Sequence, residues 1–219
     1  MSRRPRAPAF QDLGTDLPVF PLPGVLLLPR GLLPLNIFEP RYLAMVEDAL
    51  AGGRMIGMIQ PRPGHWGAAP PPLYAVGCAG RITSFDETDD GRYLITLTGL
   101  CRFRVEQELE ERRGYRRVRP GWTGFAADMA EPTAAEIDRA GLNQALTDYF
   151  RIAGLSADWE AIGQTPDERL VTSLAMICPF EPQEKQALLE AKDLCERTRV
   201  MLSIIRMAIH GGHAGHVRH

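Results

Sequence analysis

Residues 20–42 read FPLPGVLLLPRGLLPLNIFEPRY. The stretch is strongly apolar, yet Pro21, Pro23, Pro29, Pro34 and Pro40 interrupt it. Proline breaks helices and removes a sheet donor, so a run this apolar and this punctuated predicts short strands with proline at edges and turns. LPVFPL is expected as one strand, VLLL as a second after a Pro23-Gly24 turn, and LLPLNIF as a third after Pro29-Arg30-Gly31. Residues before proline disfavour the helical region, which agrees with extended chain there. Glu39-Pro40 then opens a helix, because the missing N–H of Pro40 costs nothing at the first helical position. Leu43, Val46 and Leu50 would give that helix its core face, and Gly52-Gly53 would end it.

Working outward, RMIGMIQ (54–60) reads as a buried strand, and 61–72 as a proline- and glycine-rich loop. LYAVGCAGRITSF and RYLITLTG flank ETDDG, with Asp90-Gly91 as a hairpin dipeptide. Tyr93, Ile95 and Leu97 alternate with Arg92, Leu94 and Thr96, the period of a half-buried strand. CRFRVEQEL and YRRVRP read as two further strands around ERRG. Asp86–Gly91 imitates the start of a calcium loop, but the twelfth position is Leu97 rather than a bidentate Glu, so a hairpin turn is the reading.

Beyond about residue 125 the period becomes helical. Thr133–Glu136 and Thr165–Glu168 have the form of capping boxes. The first leads to a face of Leu142, Ala145, Leu146, Tyr149, Phe150 and Ala153; the second to Leu170, Leu174 and Ile177, stopping before Pro179. PQEKQALLEA is a short helix. Asp193–Glu196 caps a longer one with Leu194, Thr198, Met201, Leu202, Ile205 and Ile209 inside, ended by Gly211-Gly212. Strands first and helices last argue an α+β fold. The expected layout is an N-terminal arm (1–16), a β subdomain (17–122), a helical subdomain (130–210) and a His-containing tail (211–219).

The chain has 219 residues, 45% hydrophobic, with a formal net charge of −2. A core is affordable without disulfides or metals, and no global attraction to nucleic acid or anionic membrane follows. Cys78, Cys101, Cys178 and Cys195 form no C-x-x-C pair and read as buried free thiols in a reducing cytoplasm. The basic N-terminus lacks an apolar segment behind it, and VLLLPRGLLPL is too short and broken to span a bilayer. Only Lys185 and Lys192 are lysines and neither follows glycine, which excludes a P-loop. Neither G-x-S-x-G nor H-E-x-x-H occurs. His210, His213, His216 and His219 lie three apart in a glycine-rich end, read as a solvated tail with no metal and no cofactor.

Two features remain as binding candidates. CRFRVEQELEERRGYRRVRP carries seven arginines, among them Arg112, Arg113, Arg116, Arg117 and Arg119, the set that an RNA-binding reading would use. Glu106, Glu108, Glu110 and Glu111 interleave with them, which favours a solvated strand face. The loop holding His65 and Trp66 offers an aromatic for a partner.

The segment LPVFPLPGVLLLPRGLLPLNIFEPRYLAMVEDAL resembles the N-terminal, substrate-binding domain of Lon proteases. RMIGMIQP, VGCAGRITSF, DGRYLITLTGLCRFRV and DERLVTSLAMICPFEPQEKQALLEAKDLCERTRVML continue the resemblance in the family's order, from about Leu17 to Ile209. It implies a PUA-like β subdomain, a small twisted barrel or sheet with one short helix, followed by an α-helical bundle. In full Lon proteases this region helps recruit unfolded or tagged substrates, ahead of ATPase and Ser–Lys peptidase domains whose motifs this sequence does not contain. The expectation is a stand-alone, non-catalytic module that binds peptide or unfolded segments in a groove between the β part and the helices, with a protease in trans as a further partner. Its rim would be Asn36, Phe38, Glu39, Arg41, Tyr42 and Trp66. The alternative is RNA binding through the arginine-rich strands.

Overall fold

The computed structural model describes residues 13–63, 70–131 and 136–211. These residues fall into two compact units: those within Met1–Leu22 and Leu27–Glu131, and those within Pro23–Leu26 and Pro132–His219.

The first unit is a six-stranded sheet with one long helix. Its strands are β1 (Leu17–Pro21), β2 (Leu32–Ile37), β3 (Met55–Ile59), β4 (Val76–Glu87), β5 (Tyr93–Arg112) and β6 (Tyr115–Gly121), and α1 (Pro40–Ala51) lies between β2 and β3 in the chain. The spatial order is β2-β5-β4-β3-β1-β6, and β5 also pairs with β6. Strands β6, β1, β3, β4 and the far half of β5 therefore close into a barrel. Only β1 and β3 run parallel; the other pairings are antiparallel. The 20-residue β5 has three neighbours: β4 along Tyr93–Arg104, β2 along Tyr93–Thr98, and β6 along Arg104–Arg112. Register shifts between Ala79 and Gly80, Ile82 and Ser84, and Val105 and Gln107 bend the ladder as bulges do. The β5–β6 turn puts Arg113 (φ 49°) and Gly114 (φ 84°) in the left-handed region, the form that matches strand twist in a two-residue hairpin. Leu17, Val19, Ile59, Ala79, Phe103 and Val118 form the barrel core, with the Trp122 ring edge-on to Phe103 at 5.9 Å.

The prolines act as the sequence predicts at β1, β2 and α1, with two corrections. VLLL is not a strand. Leu26, Leu27 and Leu28 are buried in irregular chain, and Gly31 N donates to Leu28 O at 2.9 Å, curling the chain too tightly for a ladder. The buried face of α1 is Tyr42, Met45, Val46 and Ala49 rather than Leu43, Val46 and Leu50, because Tyr42 turns inward onto Phe20 with ring centroids 4.2 Å apart. RYLITLTG and CRFRVEQEL, expected as separate strands, run on as the single β5.

A buried ion pair holds the 3-10 segment Thr123–Met129 to β5. The Arg102 guanidinium donates to both Asp128 carboxylate oxygens (2.9 and 2.8 Å), and Arg102 N donates to Asp128 Oδ2 at 3.0 Å. The two side chains are 5% and 9% exposed. Arg102 is thus no part of a solvated strand face.

The second unit contains α2 (Arg139–Ala153), α3 (Trp159–Gln164), α4 (Asp167–Ile177), α5 (Pro182–Glu190) and α6 (Leu194–His210). Helix α6 packs against α2, α4 and α5; Thr198, Met201, Leu202 and Ile205 are buried on α6, as are Leu142 and Leu146 on α2, Val171 on α4 and Leu188 on α5. Asp138, Asp158 and Asp193 cap α2, α3 and α6 by accepting backbone N–H bonds at 2.8, 2.9 and 2.8 Å. The Thr133–Glu136 box lies, but for Glu136, outside the described residues. The second box does not form. Pro166 precedes α4 as its cap residue with no side-chain bond, and Thr165 Oγ1 donates back to Ala161 O. Ile177, expected inside, is 73% exposed on the last turn of α4. Buried Arg197 donates to Leu188 O and Ala191 O, satisfying carbonyls at the end of α5. Lys185 Nζ donates to Gly24 O (2.9 Å) and Met176 O (3.1 Å), and burial pulls its pKa down. Cys78, Cys101 and Cys178 are buried free thiols, whereas Cys195 is only half-buried.

Cys101 and Tyr115 give the β unit an alkaline weakness. Burial, then the Asp128 charge, pushes the Cys101 thiol up from 9.0 to about 12. Burial and the bond to Asp48 push Tyr115 from 10.0 to about 12. Between those limits the unfolded chain binds fewer protons than the folded one, so stability falls as pH rises. The expected urea midpoint is insensitive to these two groups below about pH 9 and declines above it. Cys101→Ala is expected to make the decline between pH 9 and 11 shallower, as read by circular dichroism; an unchanged slope would contradict the assignment.

Candidate functional site

The six residues expected at a binding rim separate into three groups. Asn36 and Phe38 are exposed on and just after β2, Phe38 at 64%. Glu39 and Arg41 pair with each other at 2.8 Å, and the Arg41 guanidinium lies 4.5 Å from the Tyr42 ring centroid. Tyr42 is core, and its burial raises its pKa. Trp66, with His65, lies outside the described residues. The structure thus keeps Asn36 and Phe38 available and spends Glu39, Arg41 and Tyr42 on the start of α1.

What surrounds Asn36 follows from register. Leu33, Leu35 and Ile37 of β2 stand beside Leu97, Ile95 and Tyr93, facing the core side, while Leu32, Pro34 and Asn36 stand beside Thr98, Thr96 and Leu94 on the other face. On β4 the row continues to Ser84 opposite Thr96 and Asp86 opposite Leu94. These rows make the walls of an open groove of ≈ 370 Å³ lined by Pro34, Leu35, Asn36, Ser84, Asp86, Leu94, Ile95 and Thr96. Leu94 is 41% exposed at its floor, and Leu32 is 63% exposed at the end of the same face. The groove is mostly apolar with a few polar atoms, the composition of a peptide-accepting surface.

Leu94 and Asp86 were not among the sequence candidates. The signal was nonetheless present: Leu94 is an apolar residue on the solvent parity of a strand whose companions there are Arg92 and Thr96. β2 pairs with β5 alone, so it is an edge strand, and Pro34 is tolerated there because an edge has a side without a ladder. Proline on that edge also discourages strand addition.

The arginines of the alternative reading are engaged. Arg112 and Arg113 pair with Asp48 (3.2 and 3.1 Å), and Arg113 also with Glu47 (2.7 Å). Arg116 pairs with Glu108 (2.6 Å) and donates to Pro71 O, Arg117 pairs with Asp16, and Arg119 donates to Gln107 Oε1 (2.8 Å). Tyr115 is buried, its hydroxyl donating to Asp48 at 2.7 Å. Asp48 is held below the usual carboxylate range by that bond first and by Arg113. These contacts tie the β5–β6 hairpin to α1, and an RNA backbone would have to displace a carboxylate at four of the five arginines.

Other open hollows are found among the described residues. One of ≈ 460 Å³ lies along α5 and α6 by Ala187, Val200 and Met207, and one of ≈ 230 Å³ is lined by Arg104, Glu106 and Phe125. Among the described residues no group of three or more His, Cys, Asp or Glu is arranged to hold a metal, and no helix is long and apolar enough to cross a membrane. His210 contacts Arg206 O in the last turn of α6; the rest of the His-containing tail lies outside the described residues.

The family model for the ATP-dependent protease La (LON) substrate-binding domain matches residues 16–207. The chain belongs to the Lon substrate-binding domain family. It is 26% identical over 203 residues to Lon protease 2 of Myxococcus xanthus, and 26% identical over 200 residues to Lon protease of Dictyoglomus thermophilum. The matches take in 89% and 85% of this chain but 24% of each relative, so the chain spans about a quarter of those proteins. The crystal structure of a Lon N-terminal domain protein from Xanthomonas campestris superposes with a TM-score of 0.59 at 27% identity, covering 86% of this chain and 98% of that one. The N-terminal domain of Mycobacterium avium complex Lon protease gives 0.61 at 16% identity, over 87% and 98%, a likeness of fold.

Proposed function

We propose that this chain binds extended apolar segments of unfolded protein on the outer face of β2, β5 and β4. The observation that carries the reading is the apolar groove around Leu94, with Leu32 exposed on the same sheet face and Phe38 exposed just after β2, in a member of a substrate-binding family. Folded monomers rarely leave large side chains together on a sheet face without a use for them. An extended segment laid there buries an apolar side chain against Leu94 and Pro34 and finds polar partners in Asn36, Ser84 and Thr96. By extension, the bound segments are quality-control clients presented to a protease in trans, a context supported by the curated relatives being named Lon proteases.

The test is fluorescence anisotropy with labelled segments of a permanently unfolded protein. Leu94→Ser with Phe38→Ser is expected to weaken binding roughly tenfold, the scale of one lost apolar contact, with little change in melting temperature because both residues are exposed. No saturable binding by the wild-type chain at high micromolar concentration, or binding indifferent to the double change, would refute the proposal.

A further inference from the structure

We infer that the groove selects segments in which a Lys or Arg neighbours the apolar residue, with Asp86 as the selecting group. The inference rests on the peptide-binding reading and adds the charge of the ligand. Among the eight lining residues Asp86 is the one that carries a charge; no Lys, Arg or His lines the groove. Asp86 has no ion-pair partner among the described residues, unlike Asp90 at the nearby turn, which Arg92 engages at 2.8 Å. Its position is also unusual for its type. Aspartate is disfavoured in strands, yet Asp86 stands within β4, beside Leu94.

The surroundings reinforce its sign. Residues 86–92 carry Asp86, Glu87, Asp89 and Asp90 against Arg92 alone. Glu87 stands beside Tyr93 on the opposite face, and Asp89 and Asp90 lie in the turn at the end of the groove. On the β2 side the neighbour is neutral Asn36. An acidic end on an apolar floor repels carboxylate-bearing segments and attracts cationic ones, chiefly through association rate and specificity. The aliphatic stem of Lys or Arg suits such a place: it covers Leu94 while its head reaches Asp86.

The experiment uses three labelled ten-residue peptides with one Leu- and Phe-containing core, flanked by Arg, by Gln or by Glu. Each is titrated with the full chain at 50 and 500 mM salt. The Arg-flanked peptide is expected to bind about three- to tenfold tighter than the Gln-flanked one at low salt, the Glu-flanked one weakest, and the spread to collapse at high salt. Asp86→Lys is expected to reverse the order, and Asp86→Asn to bring the Arg- and Gln-flanked peptides together. Equal binding of the three peptides, or an order untouched by Asp86→Lys, overturns the charge selection while leaving the groove in place as a peptide site. Binding of none of the three overturns the underlying reading and the selection together.

Discussion

Asp128→Ala is expected to destabilise the β unit by about 3–5 kcal/mol, the scale for removing one partner of a buried ion pair. The loss has two parts. The Arg102 guanidinium, 5% exposed, would be left charged in a site sealed from water, and Arg102 N would lose its acceptor in the middle of β5. The Phe125 ring, 5.0 Å from the guanidinium carbon, does not replace a carboxylate. Asp128→Asn is expected to cost less than the alanine change, because an amide oxygen still accepts from Arg102 N. Arg102→Met combined with Asp128→Leu is expected to recover much of the loss, since an apolar pair removes the charges that need burying, though the backbone N–H at position 102 still loses its bond to Asp128. Urea denaturation at pH 7 followed by circular dichroism ranks the three. A cost below about 1 kcal/mol for Asp128→Ala would mean that the pair behaves as a surface salt bridge.

Local chemistry explains which features the sequence disclosed. Pro40 at a helix start, the Asp90-Gly91 turn and the alternation of Ile95 and Leu97 each depend on neighbouring residues, and each is readable in a short window. The exceptions depend on distant residues. VLLL has the composition of a strand, but the turn that ends it, closed by Gly31 N on Leu28 O, is held at Arg30 and Gly31 by bonds with distant Gly99. Tyr42 has the pattern of a rim residue, but Phe20 draws it into the core. Arg102 resembles the other arginines of its strand, and nothing in TGFAADMAEP marks Asp128 as its buried partner. The candidate site divides the same way. Asn36 and Phe38 are visible because they lie inside the proline-punctuated run itself, between Pro34 and Pro40. Leu94 and Asp86 join them only through the β2–β5–β4 register, which a single strand does not reveal.

Gly99→Ala is expected to cost the β unit about 3 kcal/mol or more, at or beyond the upper end of ordinary overpacking. A Cβ built on Gly99 would lie 1.9 Å from Leu28 O and 2.8 Å from Leu28 C, against backbone that no rotamer change can move aside. That backbone is pinned to the same residue. Arg30 N donates to Gly99 O and Gly99 N donates to Gly31 O, both at 2.8 Å. Relief therefore requires the 28–31 turn to leave β5, breaking two hydrogen bonds and drawing Leu27 and Leu28, 1% and 0% exposed, out of the core. Gly124→Ala is the matched control in the same unit. Its Cβ would meet nothing within 4 Å, and its φ is not in the left-handed region, so a change within about 0.5 kcal/mol is expected. The urea midpoints of the two variants should separate widely. If Gly99→Ala unfolds with Gly124→Ala, the close approach of Leu28 to β5 is not what fixes the proline-punctuated run in its place.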